Sequence, residues 1–325
     1  MRWALLIATI AGLVVAGWVI GSVGLVPIAE AAAGIGIGGF LLLVLYSLLV
    51  LGVLGYACFL LAPDLPPSRI ALFTWSRTTR EGATDVLPFS QFGGLVVGAR
   101  TLVAGGLPGP LVYAAMIADM TTEMAAQLLF TLFGIAMLAV RLLDGGARAG
   151  DAVWPLALAG LAGATVIMAA FALLQRPVIG LAGRLGERLL PGSAMLARAV
   201  RGELDAIYRR PVHVCGGFLL NLLAWVASGA GAWIALRLMG VEISLAAVLT
   251  IESLVFTLRS VAFLVPGAIG LQEAAYVLLG PLFGLDPETA VALSLIKRAR
   301  DIAIGLPALL LWQLGESRRL LAGNI

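Results

Sequence analysis

Long apolar runs, separated by segments that hold most of the basic residues, limit the environment in which this chain can fold. Several runs exceed the roughly 18 apolar residues that mark a membrane-spanning helix, and the candidate spans are about 3–28, 38–62, 109–140, 153–174, 212–238, 243–264 and 288–314. Hydrophobic residues make up 61% of the chain and charged residues 12%, against about 45–50% and about 25% in soluble domains. The pattern predicts an all-α, multi-pass integral membrane protein with about seven to eight transmembrane helices. We expect one membrane domain over 1–325 and no soluble catalytic domain.

Two further apolar stretches, 87–106 and 265–286, are interrupted by proline and glycine. Hydropathy leaves open whether each stretch crosses the membrane or re-enters it as a hairpin or broken helix. In both, proline and glycine precede a single charge, which is Arg100 in the first and Glu273 in the second. This similarity indicates an internal repeat. We expect 265–286 to cross and 87–106 to re-enter, which gives an even number of crossings.

The basic residues indicate the orientation, because cytoplasmic loops are enriched in arginine and lysine. The connection at 63–86 contains three arginines, the one at 175–211 contains seven, and the link at 29–37 contains none. Both termini and both basic connections are therefore expected in the cytoplasm. Apolar residues at helical spacing in 175–211, with arginines opposite, predict an amphipathic helix on an anionic membrane surface. The segment after Ser68 has a similar pattern. The alternative for both segments is a solvated cytoplasmic loop.

Charged residues inside the apolar stretches point to the functional region. One such residue at the centre of a span costs about 2.5–3.5 kcal/mol, so pairing or an aqueous cavity is expected. The basic residues are Arg100, Arg259, Lys297, Arg298 and Arg300, and the acidic residues are Asp119, Glu123, Glu252, Glu273 and Asp301. Asp119 and Glu123 share a helix face and need a cation from elsewhere. Arg100 is the nearest candidate.

Helical spacing also predicts partners for the other charges. Glu252 and Arg259 lie two turns apart on one face, and Lys297, Arg300 and Asp301 share another face. These residues either form salt bridges that join helices or line a polar cavity. The cationic groups of such a cavity suit an anionic headgroup or a carboxylate, and arginine binds phosphate through a bidentate fork.

The segment around Glu273 is unusual because Pro266 and Gly270 interrupt a helix next to a carboxylate. Backbone groups freed at membrane depth are tolerated only against protein or a water-filled cavity. Glu273 has no partner nearby in sequence, so we expect it to reach the cations of 297–301 or Arg259. These features predict half of a headgroup site, with 87–106 as its counterpart.

Other functional classes have little support in the sequence. The GxGxxG pattern at 34–39 lacks the strand and helix of a dinucleotide-binding unit, and there is no zinc motif, P-loop or nucleophile–histidine arrangement. The basic residues lie in connections rather than on one face of a soluble domain, as nucleic-acid binding would require. We therefore predict no catalytic residues, metal, cofactor or nucleic-acid partner.

Two motifs resemble those of a known family. The sequence VPGAIGLQEAAYVLLGPLFGLDPETAVALSLIKRARD (265–301) resembles the C-terminal signature of the lysylphosphatidylglycerol synthase transmembrane region. LPFSQFGGLVVGAR (87–100), followed by Asp119 and Glu123, is similar to the N-terminal half of that family. RSVAFLVPGAIGLQE together with LSLIKRARD more closely resembles a branch associated with hopanoid biosynthesis. The resemblance implies a bacterial inner-membrane protein that moves lipids between leaflets. We expect no aminoacyl-transferring domain after the last span, and therefore no transfer of lysine to lipid.

The sequence thus supports the hypothesis of a lipid flippase or transporter, not an enzyme, that moves or exports hopanoids or anionic phospholipids. The headgroup path would contain Arg100, Asp119, Glu123, Glu252, Arg259, Pro266, Gly270, Glu273, Lys297, Arg298, Arg300 and Asp301. The alternatives are a membrane-embedded enzyme of lipid synthesis and a scaffold that binds lipid-biosynthesis enzymes. The sequence leaves the energy source, the direction of transport and the oligomeric state open.

Overall fold

Helices form the regular structure throughout the part of the chain that the structure describes. The computed structural model describes residues 33–86, 90–145, 150–186, 193–261 and 270–321, and no strand occurs within these ranges. The α-helices are α1 Gly36–Leu60, α2 Ile70–Val86, α3 Ser90–Ala104, α4 Gly109–Gly145, α5 Gly150–Gly186, α6 Ser193–Tyr208, α7 Pro211–Leu238, α8 Leu245–Val261, α9 Leu271–Leu279 and α10 Pro287–Leu321. Short 3-10 turns occupy Pro67–Arg69 and Gly280–Phe283.

Three of the described helices are long and apolar enough to cross a bilayer. They are Gly36–Leu60, Gly109–Arg141 and Pro211–Leu238, and they confirm the spans predicted at 38–62, 109–140 and 212–238. Large apolar side chains such as Leu49 and Leu223 are exposed on them, as expected where lipid rather than water surrounds a helix. The predicted all-α, multi-pass fold is therefore confirmed. The predicted spans 153–174 and 288–314 fall within α5 and α10, while 3–28 lies outside the described residues.

The helices α1–α4 and α7–α10 form two units with the same order of elements. In each unit a long apolar helix is followed by a helix of 17 residues, a shorter helix, and a helix of 37 or 35 residues. The contacts between the units are reciprocal, because α1 packs against α7, α4 against α8, and α10 against α2. This arrangement supports the internal repeat indicated by the sequence. Helices α5 and α6 connect the two units.

The two units run in opposite directions. Gly39 near the start of α1 lies against Leu238 at the end of α7, and Gly217 near the start of α7 lies against Leu61 just after α1. Helices α1 and α7 are therefore antiparallel, and the repeat is inverted. We call the end of the bundle where α1 ends and α7 begins face 1, and the opposite end face 2.

Helices α2 and α3 form a hairpin that starts and ends near face 1. The Arg69 guanidinium donates to the Gly105 carbonyl (2.8 Å) and the Ser76 hydroxyl donates to the Gly98 carbonyl (2.9 Å), so the two helices are antiparallel. With 17 and 15 residues they are about 25 and 22 Å long, shorter than the roughly 30 Å hydrocarbon core. The predicted re-entry of 87–106 agrees with this hairpin.

The second hairpin consists of α8 and α9 and lies near face 2. Helix α9 has nine residues, or about 14 Å, and cannot cross a bilayer alone. It returns toward face 2, where Arg141 near the end of α4 donates to the carbonyl of Leu282 (3.4 Å). The expectation that 265–286 crosses the membrane is therefore wrong. The connecting residues 262–269, which include Pro266, lie outside the described residues.

Two segments predicted to lie outside the helical bundle instead pack within it. Residues 70–86, expected in a cytoplasmic connection, form α2, in which Phe73 and Arg77 are buried. Helix α6 has the predicted amphipathic pattern, but its apolar residues Val200 and Leu204 are buried in a core shared with α2 and α4. The prediction that this face lies on lipid is wrong, because the protein itself supplies a better-packed apolar surface.

Candidate functional site

The first group of buried charges lies where α2, α4 and α7 meet, and we call it cluster 1. Its members are Arg77, Arg80, Glu81, Asp119, Glu123 and Asn221. Arg77 binds Glu123 through two hydrogen bonds, Nη2 to Oε1 at 2.6 Å and Nη1 to Oε2 at 3.1 Å, and also lies 2.9 Å from Glu81. Arg80 bridges Glu123 (3.2 Å) and Asp119 (3.4 Å). Two arginines of α2 thus pair with three acids, which are Glu81 on the same helix and Asp119 and Glu123 on α4.

Helical spacing explains how cluster 1 forms. Arginines three residues apart on α2 and acids four residues apart on α4 each lie on one face of their helix. The expectation that Arg100 binds Asp119 and Glu123 is wrong. The Arg100 side chain is 50% exposed and pairs with Glu316 at the other end of the chain. Spacing predicted the acidic face but not the helix that faces it.

The second group, cluster 2, lies where α8, α9 and α10 meet. Its members are Glu252, Glu273, Tyr276, Lys297 and Arg298. The Lys297 ammonium donates to Glu252 Oε2 (2.5 Å) and to the Tyr276 hydroxyl (2.7 Å), and the same hydroxyl donates to Glu252 Oε1. All three side chains are buried. The predicted pairing of Glu252 with Arg259 is wrong, because Lys297 on α10 comes closer than the arginine on the same helix.

Glu273 reaches the cations of 297–301, as predicted, and it also begins α9. Gly270 has a φ of 82°, a conformation that favours glycine, and its amide donates to Glu273 Oε2 (2.8 Å). Arg298 completes the site with hydrogen bonds of 2.6 and 3.1 Å to the two carboxylate oxygens. The Ser294 hydroxyl donates to Oε1 (2.9 Å). The break before Glu273 is therefore a helix start held by its own carboxylate.

The start of α10 fixes the position of Lys297 and Arg298. Asp286 caps this helix, because its carboxylate accepts hydrogen bonds from the Thr289 amide (2.9 Å) and hydroxyl (2.9 Å), and Pro287 occupies the first helical position. Burial alone would raise the pKa of Asp286, but the hydrogen bonds from Thr289 outweigh it and hold the pKa below its ordinary value.

The two clusters occupy equivalent positions with opposite charges. Arg77 is the eighth residue of α2 and Glu252 the eighth of α8, while Asp119 and Lys297 are the eleventh residues of α4 and α10. In each unit these residues lie within ion-pairing distance, 3.5 Å in the first and 2.5 Å in the second. The same interhelical pair thus occurs twice with its sign reversed. Because the repeat is inverted, one pair lies closer to face 1 and the other closer to face 2.

A third group lies where the far ends of α2 and α8 approach α10, and we call it the tip group. Its members are Asp85, Arg259, Arg300 and Asp301. Arg300 donates two hydrogen bonds to Asp301, at 3.0 and 2.6 Å. These two residues of the face predicted for Lys297, Arg300 and Asp301 therefore do lie together. The Arg259 guanidinium lies 5.8 Å from the centre of the Phe256 ring. No acidic side chain of the described residues lies within ion-pairing distance of Arg259.

A cavity of about 390 Å³ adjoins cluster 1 between α4, α6 and α7. Ala125, Phe218 and the Tyr208 ring form part of its wall. Thr122 lines the cavity and also accepts a hydrogen bond from Asn221 (3.1 Å), which in turn donates to Asp119 (3.2 Å). An apolar space therefore borders a buried polar cluster. Among the described residues, no group of three or more histidine, cysteine or acidic side chains is placed to hold a metal.

Several residues of these groups were missed by sequence reasoning. Arg77 and Arg80 lie in the segment after Ser68, which the sequence left open between an amphipathic surface helix and a solvated loop, so neither arginine was placed in the headgroup path. Asn221 and Tyr276 were missed because a single polar residue in an apolar span gives no pattern. Asp85 lies in the same connection and was also left out of the path. Arg100 is the one predicted site residue that the described structure places apart from all three groups.

The family match agrees with this architecture. Residues 3–308 match the family described as the lysylphosphatidylglycerol synthase TM region. Comparison with curated proteins and with solved structures finds no significant match. The match includes both units of the repeat and, together with the apolar helices, indicates a membrane location and a function related to membrane lipids. The chain therefore belongs to the lysylphosphatidylglycerol synthase transmembrane-region family.

Proposed function

We propose that this protein is a lipid flippase, which moves a lipid headgroup between the two leaflets through the interior of the bundle. The observation that carries the proposal is the inverted repeat, whose two hairpins bring buried charges toward the centre from opposite faces. Transporters built from inverted repeats bind their substrates near the repeat interface, at discontinuous helices. A salt bridge that only joined two helices would not require this duplicated arrangement.

The tip group is the part of the path best suited to hold an anionic headgroup. Arg259 is half-buried and carries no ion pair among the described residues, so its guanidinium is available to a phosphate or carboxylate. A guanidinium binds such groups through two parallel hydrogen bonds. Clusters 1 and 2 lie on either side of the tip group, where their reversed pairs can close the path from each face. The cavity beside cluster 1 suits an apolar portion of the lipid.

We propose a hopanoid as the lipid, with an anionic phospholipid as the alternative. The hopanoid assignment is supported by the likeness of 259–273 and 293–301 to the hopanoid-associated branch. The proposed membrane is the bacterial inner membrane. Face 1 is proposed to be cytoplasmic, because basic residues of α6 and of the connection to α7, including Arg209 and Arg210, lie near it.

Transport rather than catalysis is the proposed activity. The acids of clusters 1 and 2 are engaged by arginine or lysine, whereas a general base must be available to a substrate proton. An enzyme would form product in detergent solution, where no leaflets exist. Incubation of the purified protein with lipid in detergent, followed by mass spectrometry, therefore separates the two activities, and a new lipid product would refute the proposal.

Lipid movement is tested in vesicles of phosphatidylethanolamine and phosphatidylglycerol that contain a trace of fluorescent phosphatidylglycerol or fluorescent hopanoid. Dithionite bleaches the label in the outer leaflet. Label that starts in the inner leaflet is bleached only after it has moved to the outer leaflet, so translocation appears as a delayed loss of fluorescence. The wild-type protein is expected to exceed protein-free vesicles. Arg259→Gln should lower the rate about tenfold or more, because a charge-assisted hydrogen bond contributes about 1.5–3 kcal/mol.

Arg237→Gln is a matched control, because Arg237 also lies over an aromatic ring, Trp233, at 5.2 Å. It sits at the end of α7 with its side chain 39% exposed and should keep the wild-type rate. Equal loss in both variants would show that the effect is structural. A wild-type rate no greater than that of empty vesicles would refute transport of both labelled lipids.

A further inference from the structure

Asp85 lies deep in the bundle at the far end of the first hairpin. It is the sixteenth residue of α2, so its backbone is about 22 Å from the start of the helix near face 1. One turn earlier, α2 packs closely on α10, since a Cβ atom on Gly82 would lie 2.8 Å from the Gly305 Cα atom. This contact brings the half-buried Asp85 carboxylate to the side of α10 that carries Asp301.

The charged groups that act on Asp85 come from three helices. Glu81 belongs to α2, Arg259 to α8, and Arg300 and Asp301 to α10. Within the described part of the chain, no basic side chain comes within ion-pairing distance of the Asp85 carboxylate. Arg300 is bound to Asp301, and Arg259 lies over the ring of Phe256. Asp85 therefore faces two acids as well as two arginines and is bound by neither arginine.

The ion pairs of the other acids point to the same residue. Cluster 1 contains three acids and two bases, whereas cluster 2 and the tip group each contain two acids and two bases. In all three groups, each acid except Asp85 has a basic partner within ion-pairing distance. A proton on Asp85 would therefore avoid an unpaired negative charge at depth.

We propose that Asp85 is a proton-binding site and that one proton and one anionic headgroup occupy the tip group together. This inference rests on the proposed function. A headgroup bound to Arg259 and Arg300 neutralises the positive charge that otherwise stabilises the Asp85 carboxylate. Asp85 then binds a proton from water. When the headgroup leaves, the two arginines again favour the ionised carboxylate, and the proton is released. For a headgroup with one negative charge, the headgroup and the proton that move together carry no net charge.

Proton binding can be measured without any transport. Infrared difference spectra of the purified protein in detergent, recorded during a pH titration, report the carbonyl band of a protonated carboxyl group. Asp85→Asn should remove one such band, and Asp85→Glu should keep a band at a shifted frequency. Asp64→Asn is the control, because Asp64 is an exposed acid paired with Arg210 and its replacement should leave the band of Asp85 intact.

The same band tests the link to the headgroup. At a fixed pH, added phosphatidylglycerol should strengthen the band and phosphatidylcholine should not. Identical titrating bands in wild type and Asp85→Asn would overturn the inference.

Coupling is measured in vesicles with a pH difference across the membrane. One proton per lipid predicts that a difference of one pH unit drives about a tenfold asymmetry of labelled phosphatidylglycerol between the leaflets. The asymmetry should reverse with the gradient and be absent in Asp85→Asn, while Asp64→Asn behaves like wild type. Translocation by the wild type that ignores the gradient would overturn the coupling. Absence of wild-type translocation would refute the proposed function instead, and the infrared titration would still decide whether Asp85 binds a proton.

Discussion

Replacing Lys297 with methionine should destabilise the protein by an amount that depends on pH. Among the described residues, the change leaves the fully buried Glu252 carboxylate with only the Tyr276 hydroxyl as a partner. Removing one member of a buried ion pair costs about 3–5 kcal/mol. Glu252 can escape by taking a proton. For a glutamate with an ordinary pKa of about 4.3, protonation costs about 3.7 kcal/mol at pH 7 and about 1 kcal/mol at pH 5.

The loss caused by Lys297→Met should therefore fall from about 4 kcal/mol at pH 7 to about 1 kcal/mol at pH 5. In the double variant Glu252→Gln, Lys297→Met no charge remains to be buried. Since an apolar replacement of a buried pair is often neutral, the double variant should be more stable than the single one by about 2–3 kcal/mol at pH 7. This non-additivity is the sign of direct coupling between the two residues.

The measurement is denaturant unfolding in detergent micelles, followed by tryptophan fluorescence at pH 5 and pH 7. A loss below about 1 kcal/mol for Lys297→Met at pH 7 would refute the assumption of a fully desolvated pair. A double variant as unstable as the single one would refute it too.

The double variant also distinguishes two functions. A flippase should lose translocation with the charges of cluster 2, whereas a scaffold should retain its activity once the fold is restored.

Three further changes test the packing of the bundle. Arg77→Met removes one of two cations from cluster 1 and should cost about 3 kcal/mol, whereas Arg100→Met, at a half-exposed pair, should cost less than about 1 kcal/mol. Gly82→Val places a side chain against the backbone of α10 and should cost about 1–3 kcal/mol, while Gly52→Ala, which meets open space on α1, should be neutral or stabilise by up to about 1 kcal/mol. Asp286→Ala removes the cap of α10 and should cost about 1 kcal/mol at pH 7. Because the folded pKa of Asp286 is lowered, its contribution is present above the unfolded pKa of about 3.9 and disappears as the pH falls through the folded pKa.

Denaturant unfolding of each variant beside its control measures these changes. Equal losses for the two arginine variants would show that cluster 1 is hydrated rather than buried. If Gly82→Val changed the free energy of unfolding as little as Gly52→Ala, the result would contradict the close contact between α2 and α10. A cap variant whose loss persists unchanged at low pH would show that packing, not the ionised carboxylate, stabilises the start of α10.

The sequence by itself determined the environment, the helical class and the broken stretches. Apolar runs longer than a bilayer requires leave few soluble alternatives, because a soluble core could not bury them. Proline and glycine located the punctuated stretches 87–106 and 265–286, and the charge after the second break indicated its partner, since Glu273 needs a cation and 297–301 supplies one. Spacing also placed Asp119 and Glu123 on one face of their helix.

Only the tertiary structure decided which helices those faces meet. Arg100 and Arg259 were the expected partners of the acids, but Arg77 and Lys297 lie closer, because the inverted packing of the two units brings α2 to α4 and α8 to α10. The burial of α2 was missed because hydropathy averages over all faces of a helix, so a helix that buries charges against other charges resembles a surface helix or a loop. Local spacing determines which residues share a face. The position of that face depends on contacts between residues distant in sequence, and these exist only once the whole bundle has packed.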